Sequence, residues 1–288
     1  MGSRFTVLVT TDGSRPNELR RMLGSVAEVD DALVVLLLQK GSCLPALPAG
    51  FKPELSIMQT RDRLSLSEAR NTMLDYIQAS ESRLRLAANS YVLFADDDCW
   101  YPNGFFAGLD LGPGINIFDA RDPTCDKPFS TFDLRRRSTK RPMASWELMF
   151  YAVSIAIAVP FNLIKSVRFH LDFGLGSKVP QGEESILLFE LLKRDPRLDI
   201  RIHPERTVYH PWKIDRSARN HQALAYFLGW CLRQGFFFVL PYYLYMLAKY
   251  STATVVRPST LYVSILKALV VDFAKGVINT RRVRGADV

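Results

Sequence analysis

The segment Tyr91-Val92-Leu93-Phe94-Ala95-Asp96-Asp97-Asp98-Cys99 places an unbroken apolar run directly before three consecutive carboxylates. An apolar run this short reads as a buried strand. Adjacent carboxylates at its end repel one another, and burying each without a partner costs roughly several kcal/mol. The simplest relief is a divalent cation held by oxygen ligands. A cation bound by one or two carboxylates keeps open positions, and these suit a diphosphate. The competing reading is an acidic turn, since acidic residues are common where strands end.

Working outward, Phe5 to Thr10 forms a first buried strand, and Thr11-Asp12-Gly13-Ser14-Arg15-Pro16 is its polar turn. Asn17 to Val26 carries Leu19, Met22, Leu23 and Val26 at helical spacing. Ala32 to Leu38 is a second strand closed by Lys40-Gly41-Ser42, and Ile57 to Thr60 a short third. Ser67 to Ile77 is a helix with Ala69, Met73, Leu74 and Ile77 on its inner face. Short apolar strands alternating with helices predict a parallel sheet covered on both faces. In such sheets ligands bind beyond the carboxyl ends of the strands, where Thr11-Asp12, Lys40-Gly41 and Asp96-Asp97-Asp98 all fall.

From Asn116 to Lys165 the pattern is less regular, with loops marked at Asp122-Pro123 and Lys127-Pro128. Arg135-Arg136-Arg137 with Lys140-Arg141 is a basic cluster, read either as a solvated loop or as an anion contact. Trp146 is either a core residue or an aromatic stacking surface. Met149 to Val159 is apolar and β-branched and predicts a strand. Gly182 to Leu192 predicts a helix with acidic residues in its first turn, and Val208 to Trp212 a short strand running into a loop.

Near His221 the composition shifts. Ala223 to Ala248 is rich in aromatic and apolar residues, with Arg233 its one charge. That central Arg, Gln234 and Pro241 disfavour a membrane span. Leu261 to Ile278 is amphipathic and is followed by Arg281, Arg282 and Arg284. Such a combination suits helices lying in a membrane interface, with basic residues meeting anionic lipid. The alternative is a packed helical hairpin covering the rest of the chain or a dimer contact.

A chain of 288 residues that is 48% hydrophobic supports a substantial core, so global disorder is excluded. The net charge of +8 favours acidic partners: phosphates of nucleotides or anionic lipid headgroups. No nucleic-acid-reading motif accompanies the charge, so nucleic acid is not expected. Cys43, Cys99, Cys125 and Cys231 form no CxxC pair and read as scattered reduced thiols. The opening residues run straight into a strand pattern, so no secretory signal peptide is expected.

Four features taken in order resemble family 2 inverting glycosyltransferases of the GT-A fold. They are Val7 to Asp12, then Leu66-Ser67-Glu68-Ala69-Arg70-Asn71, then Phe94 to Asp98, then Gly182-Glu183-Glu184-Ser185. The resemblance covers roughly residues 4 to 215. It implies a GT-A, Rossmann-like catalytic domain over 1–220 and a C-terminal apolar and amphipathic helical segment over 221–288. It also implies Mn2+ or Mg2+ as cofactor, with Asp98 as the direct ligand and Asp96 and His210 beside it. Thr10, Asp12, Arg70, Asn71, Asp96 and Asp97 would contact a nucleotide-sugar donor, expected to be a UDP-sugar. Glu184 would be the general base for the acceptor hydroxyl, with Glu183 positioning it. The acceptor is expected to be a lipid-linked or cell-surface glycan, met by a peripheral protein at the inner face of the cell membrane, with a homo-oligomer admitted. Two departures stand out: Glu183-Glu184 where the family has Glu-Asp, and Gln39-Lys40 where it usually has an Asp. A sugar nucleotidyltransferase, or a catalytically lapsed partner subunit, are the rival readings.

Overall fold

The computed structural model describes residues 3–139, 142–211, 218–256 and 260–278. Seven strands form one mixed sheet: β1 (Ser3–Thr11), β2 (Ala32–Leu38), β3 (Glu54–Gln59), β4 (Leu86–Asp96), β5 (Ile115–Arg121), β6 (Ile157–Pro160) and β7 (Ile200–Tyr209), in the order β3-β2-β1-β4-β6-β5-β7. β1 pairs in parallel with β2 and β4, and β2 with β3. Only β6 runs against its neighbours β4 and β5, while β5 and β7 are parallel. Every strand except β6 therefore points its carboxyl end toward one edge of the sheet.

Local sequence explains the first half. All seven residues of β2 are buried, as a strand covered on both faces requires. Helix α1 (Pro16–Val26) buries Leu19, Met22, Leu23 and Val26 against the sheet. Helix α2 (Leu66–Ala79) starts at a capping box, in which Ser65 accepts from the Glu68 N–H and Glu68 reaches back to the Ser65 N–H.

The second half departs from the sequence reading. β5 lies in the stretch read as irregular. Its Asn116 is wholly buried, yet its side chain bonds the backbone of Gly112 and Gly114 and meets His203 Nε2 at 3.1 Å. An interior polar residue is tolerated because every group finds a partner. Met149 to Val159 is not one strand. It holds helix α3 (Leu148–Tyr151), a turn at Ser154–Ala156 and then β6. Helix α4 (Phe161–Ile164) follows at once. β7 is longer than expected, beginning at Ile200; Trp212 lies outside the described residues.

The chain divides into two units, Met1–Phe169 with Leu187–Trp212, and His170–Ile186 with Lys213–Val288. The first contains the sheet. Helix α5 (Glu183–Arg194) begins in the second unit and ends in the first. The second unit also contains α6 (Ala218–Arg233), α7 (Leu240–Val256) and α8 (Thr260–Ile278). α6 and α8 touch backbone to backbone: a Cβ on Gly229 would lie 2.1 Å from the Phe273 carbonyl, and one on Gly276 2.2 Å from that of Tyr226. Tyr243 stacks on Phe273 at 3.7 Å, and Ala225, Met246, Ile265 and Leu269 form a small separate core. Among the described residues no helix is long and apolar enough to cross a membrane. Arg281, Arg282 and Arg284 lie outside them.

Candidate active site

The carboxyl edge of the sheet gathers the acidic triplet. Asp96 ends β4, and Asp98 follows two residues on. His210 comes directly after β7 and donates its backbone N–H to the Arg121 carbonyl, 3.0 Å away, at the end of β5. His210 Nε2 is thereby brought to 2.9 Å from Asp98 Oδ1 and 3.8 Å from Asp96 Oδ2. One ligand atom from each of the three lies within 4.8 Å of the others. Two carboxylates and one imidazole with ligand atoms this close form a donor set that fits a divalent ion such as Mn2+.

Cationic and hydroxyl groups hold the triplet in place. Arg15, in the turn after β1, pairs with Asp98 through Nη1 and lies 2.5 Å from Asp97 Oδ1 through Nη2. The Thr11 hydroxyl donates to Asp97 Oδ2 at 2.6 Å. Burial pushes the Asp97 carboxyl upward, against the pull of Thr11 and Arg15 in the other direction. Arg21 donates to the Asp98 carbonyl and lies over the Trp100 ring at 3.8 Å. Arg70 is 1% exposed; it bonds the Ser154 hydroxyl at 2.9 Å and reaches Asp96 Oδ1 at 3.3 Å, with Phe94 and Phe169 against its guanidinium.

The remaining expected nucleotide contacts take separate positions. Asn71 uses both ends of its amide on the Phe169 backbone, at 2.8 and 2.9 Å. Thr10 accepts from Gln39 Nε2 at 2.7 Å, and Gln39 Oε1 accepts from the Leu64 N–H. Gln39, which stands where the family usually has an acid, thus ties β1, β2 and the loop before α2 together. Asp12 bonds the Ser14 hydroxyl at 2.5 Å and Lys40 at 2.9 Å, and these partners hold its carboxyl well below the usual range. Glu183 and Glu184 occupy the first turn of α5, where the helix dipole favours negative charge. Glu183 is buried and Glu184 partly exposed. Gly182, at φ +89°, leads into this turn and packs so closely on Phe227 that a Cβ would approach it to 2.9 Å.

Sequence reasoning missed Arg15, Arg21 and Ser154; it placed Thr11 at the ligand-binding edge without giving it a role. For Arg15 a signal existed, because a basic residue in the turn after β1 must face the same edge as the carboxylates after β4. In the basic cluster Arg136 stands in solvent, as one of the two readings had it, while Arg135 and Arg137 are held in ion pairs. Arg135 pairs with buried Asp119 at 2.9 Å, and Arg137 with buried Glu147 at 3.1 Å. Lys140 and Arg141 lie outside the described residues.

No family model and no curated protein matches the chain. Among solved structures it is similar to the mannosyltransferase PcManGT from Pyrobaculum calidifontis, in complex with GDP-Man and Mn2+. The TM-score is 0.55 at 15% sequence identity, covering 96% of this chain and 84% of that one. At that identity the likeness is one of architecture: the chain shares the fold of that mannosyltransferase.

Proposed function

We propose that the protein transfers a sugar from a nucleotide-sugar donor to a hydroxyl of a lipid-linked or cell-surface glycan, with inversion, as a family 2 enzyme of the GT-A type. The observation that carries this reading is the convergence of Asp96, Asp98 and His210 at the carboxyl edge of the sheet. A mannosyltransferase of the same fold is known with GDP-Man and Mn2+. A divalent cation, Mn2+ or Mg2+, would be held by Asp98, Asp96 and His210 and would supply neutralisation of the charge that develops on the leaving diphosphate.

The chain's own residues do the rest. Arg70 bonds and orients Asp96, and Thr11 and Arg15 hold Asp97. Asp12 and Thr10, at the end of β1, would contact the base and ribose of the donor. Glu184 accepts the proton of the acceptor hydroxyl, and Glu183 positions it. The donor read from sequence is a UDP-sugar; the GDP-Man of the structural neighbour makes a guanosine donor the second reading.

Thermal unfolding with UDP- and GDP-sugars, with and without Mn2+, tests the reading, because a ligand of the native state raises its stability by mass action. One donor stabilising the protein only with metal supports it. No stabilisation by any donor in the presence of Mn2+ or Mg2+ refutes it.

Peripheral binding at the inner face of the membrane belongs to the same proposal. It is supported by exposed Leu244 and Tyr245 on α7 and exposed Val263, Val270 and Val271 on α8. Lys249 and Lys267 stand exposed on the same two helices. Flotation with anionic liposomes at low salt is the check, and full-length protein that stays with the soluble fraction removes this part of the proposal.

A further inference from the structure

Arg15, Arg21 and Arg70 all reach the acidic triplet, and they differ in how firmly each is held. Arg70 is buried, bonded to Ser154 and Asp96 and flanked by two aromatic rings. Arg21 meets the backbone carbonyl of Asp98 and lies over the Trp100 ring. Arg15 spans two carboxylates, with Nη1 on Asp98 and Nη2 2.5 Å from Asp97 Oδ1. Its side chain keeps 34% of its surface in solvent, against 2% for Asp97 and 4% for Asp98. The acids are fixed, and the arginine is the partner that can leave.

Both oxygens of Asp98 are engaged: Oδ2 takes Arg15, and Oδ1 lies 2.9 Å from His210 Nε2. A divalent ion held by Asp96, Asp98 and His210 draws on the same carboxylate charge that Arg15 neutralises. Two cations on one carboxylate repel each other, so the ion and the guanidinium oppose each other there.

The backbone decides where a displaced Arg15 can go. Its turn is pinned, because the Gly13 N–H bonds the Thr11 hydroxyl and the Ser14 N–H bonds Asp12, each at 3.1 Å. A Cβ on Gly13 would lie 2.3 Å from that of Ser42, so the turn also packs on the loop after β2. Directly after Arg15, Pro16 opens α1. Only the side chain is free to swing, and it stays at the carboxyl edge. There its five N–H donors form a planar fork that matches phosphate oxygens.

We infer that Arg15 is a binding residue for the donor's diphosphate, held on Asp97 and Asp98 and released to the phosphates when a divalent ion takes its place. Ion and diphosphate then bind cooperatively beyond their direct contact. The ion displaces the guanidinium from the acids, and the diphosphate gives it a new partner. This inference rests on the glycosyltransferase reading, and deepens it by giving the diphosphate a protein ligand besides the ion.

Titration calorimetry on the full chain with Mn2+, UDP and GDP is the test. In the wild type, Mn2+ should tighten the nucleotide that binds, and that nucleotide should tighten Mn2+ by the same factor. Arg15→Gln is expected to bind Mn2+ alone several-fold more tightly. With Mn2+ saturating, it should bind the nucleotide about tenfold more weakly, so the coupling factor falls by about tenfold or more. The opposite signs are the signature, since a residue that only braced the site would weaken both when lost. Arg15→Lys keeps the charge without the fork, and should hold Mn2+ near wild-type affinity while losing nucleotide affinity. Mn2+ affinity that does not rise in Arg15→Gln, or nucleotide affinity that does not fall, overturns the inference and leaves the glycosyltransferase reading standing. Wild-type protein that binds neither UDP nor GDP with Mn2+ refutes that reading, and this inference with it.

Discussion

The carboxylate of Asp98 meets Nε2 of His210 at 2.9 Å, while its other oxygen takes the guanidinium of Arg15. Asp98 is almost wholly buried, so a charge there must always have a partner. Replacing it with Asn removes a charged ligand while keeping the shape. Asp98→Asn is expected to weaken Mn2+ binding by more than about tenfold and to abolish metal-dependent donor binding. Titration calorimetry with Mn2+ checks this; wild-type affinity in the variant would place the metal elsewhere.

Arg15 and a cation compete for the same face of Asp98. Arg15→Gln should therefore tighten Mn2+ binding in nucleotide-free protein, by several-fold, roughly, because the competing positive charge is gone. Electron paramagnetic resonance of free Mn2+ measures the change. An unaltered or weaker affinity would show that Arg15 braces the ligands instead of competing for them.

Two carboxylates open helix α5, and their roles separate by kinetics. Glu184→Gln should leave donor binding intact and lower transfer by about 10²- to 10⁴-fold, the range of a lost general base. A larger loss in Glu183→Gln, with donor affinity unchanged, would reverse the two assignments.

His203 gives the fold a pH dependence. It is buried beside Asn116, and burial lowers its pKa from the ordinary 6.5. The unfolded chain then binds the proton more readily than the folded one. Its contribution to stability is complete above pH 6.5 and is lost as the pH falls through the lower folded value. The melting temperature should decline as the pH falls below 6.5, and the decline should be shallower in His203→Gln. Parallel melting curves for the two proteins across that range would dismiss the effect.

Much of the first half of the fold is legible in the sequence, because its signals are local. The all-apolar β2, the inner face of α1 at Leu19, Met22, Leu23 and Val26, and the Ser65–Glu68 capping box each need only their neighbours in the chain. β5 was not legible. Its Asn116 and Asp119 look like loop residues until the distant groups that satisfy them, His203 and Arg135 among them, are in place. Met149 to Val159 misled for the opposite reason: uniform apolarity carries no period, and Phe150 and Val159 are buried in a helix and a strand respectively.

At the candidate site the same division holds. The sequence alone determined that carboxylates would stand at the carboxyl end of a buried strand, because apolar run and acidic triplet are adjacent and a parallel sheet orients its strand ends alike. Only the tertiary structure decided which groups meet them. His210 arrives through the pairing of β7 with β5, Arg15 through the turn after β1, and Arg70 through the packing of α2. These are long-range contacts, set by the closing of one sheet and its core. A charge buried at that closure is satisfied by whatever residue the fold delivers, and no spacing along the chain encodes it.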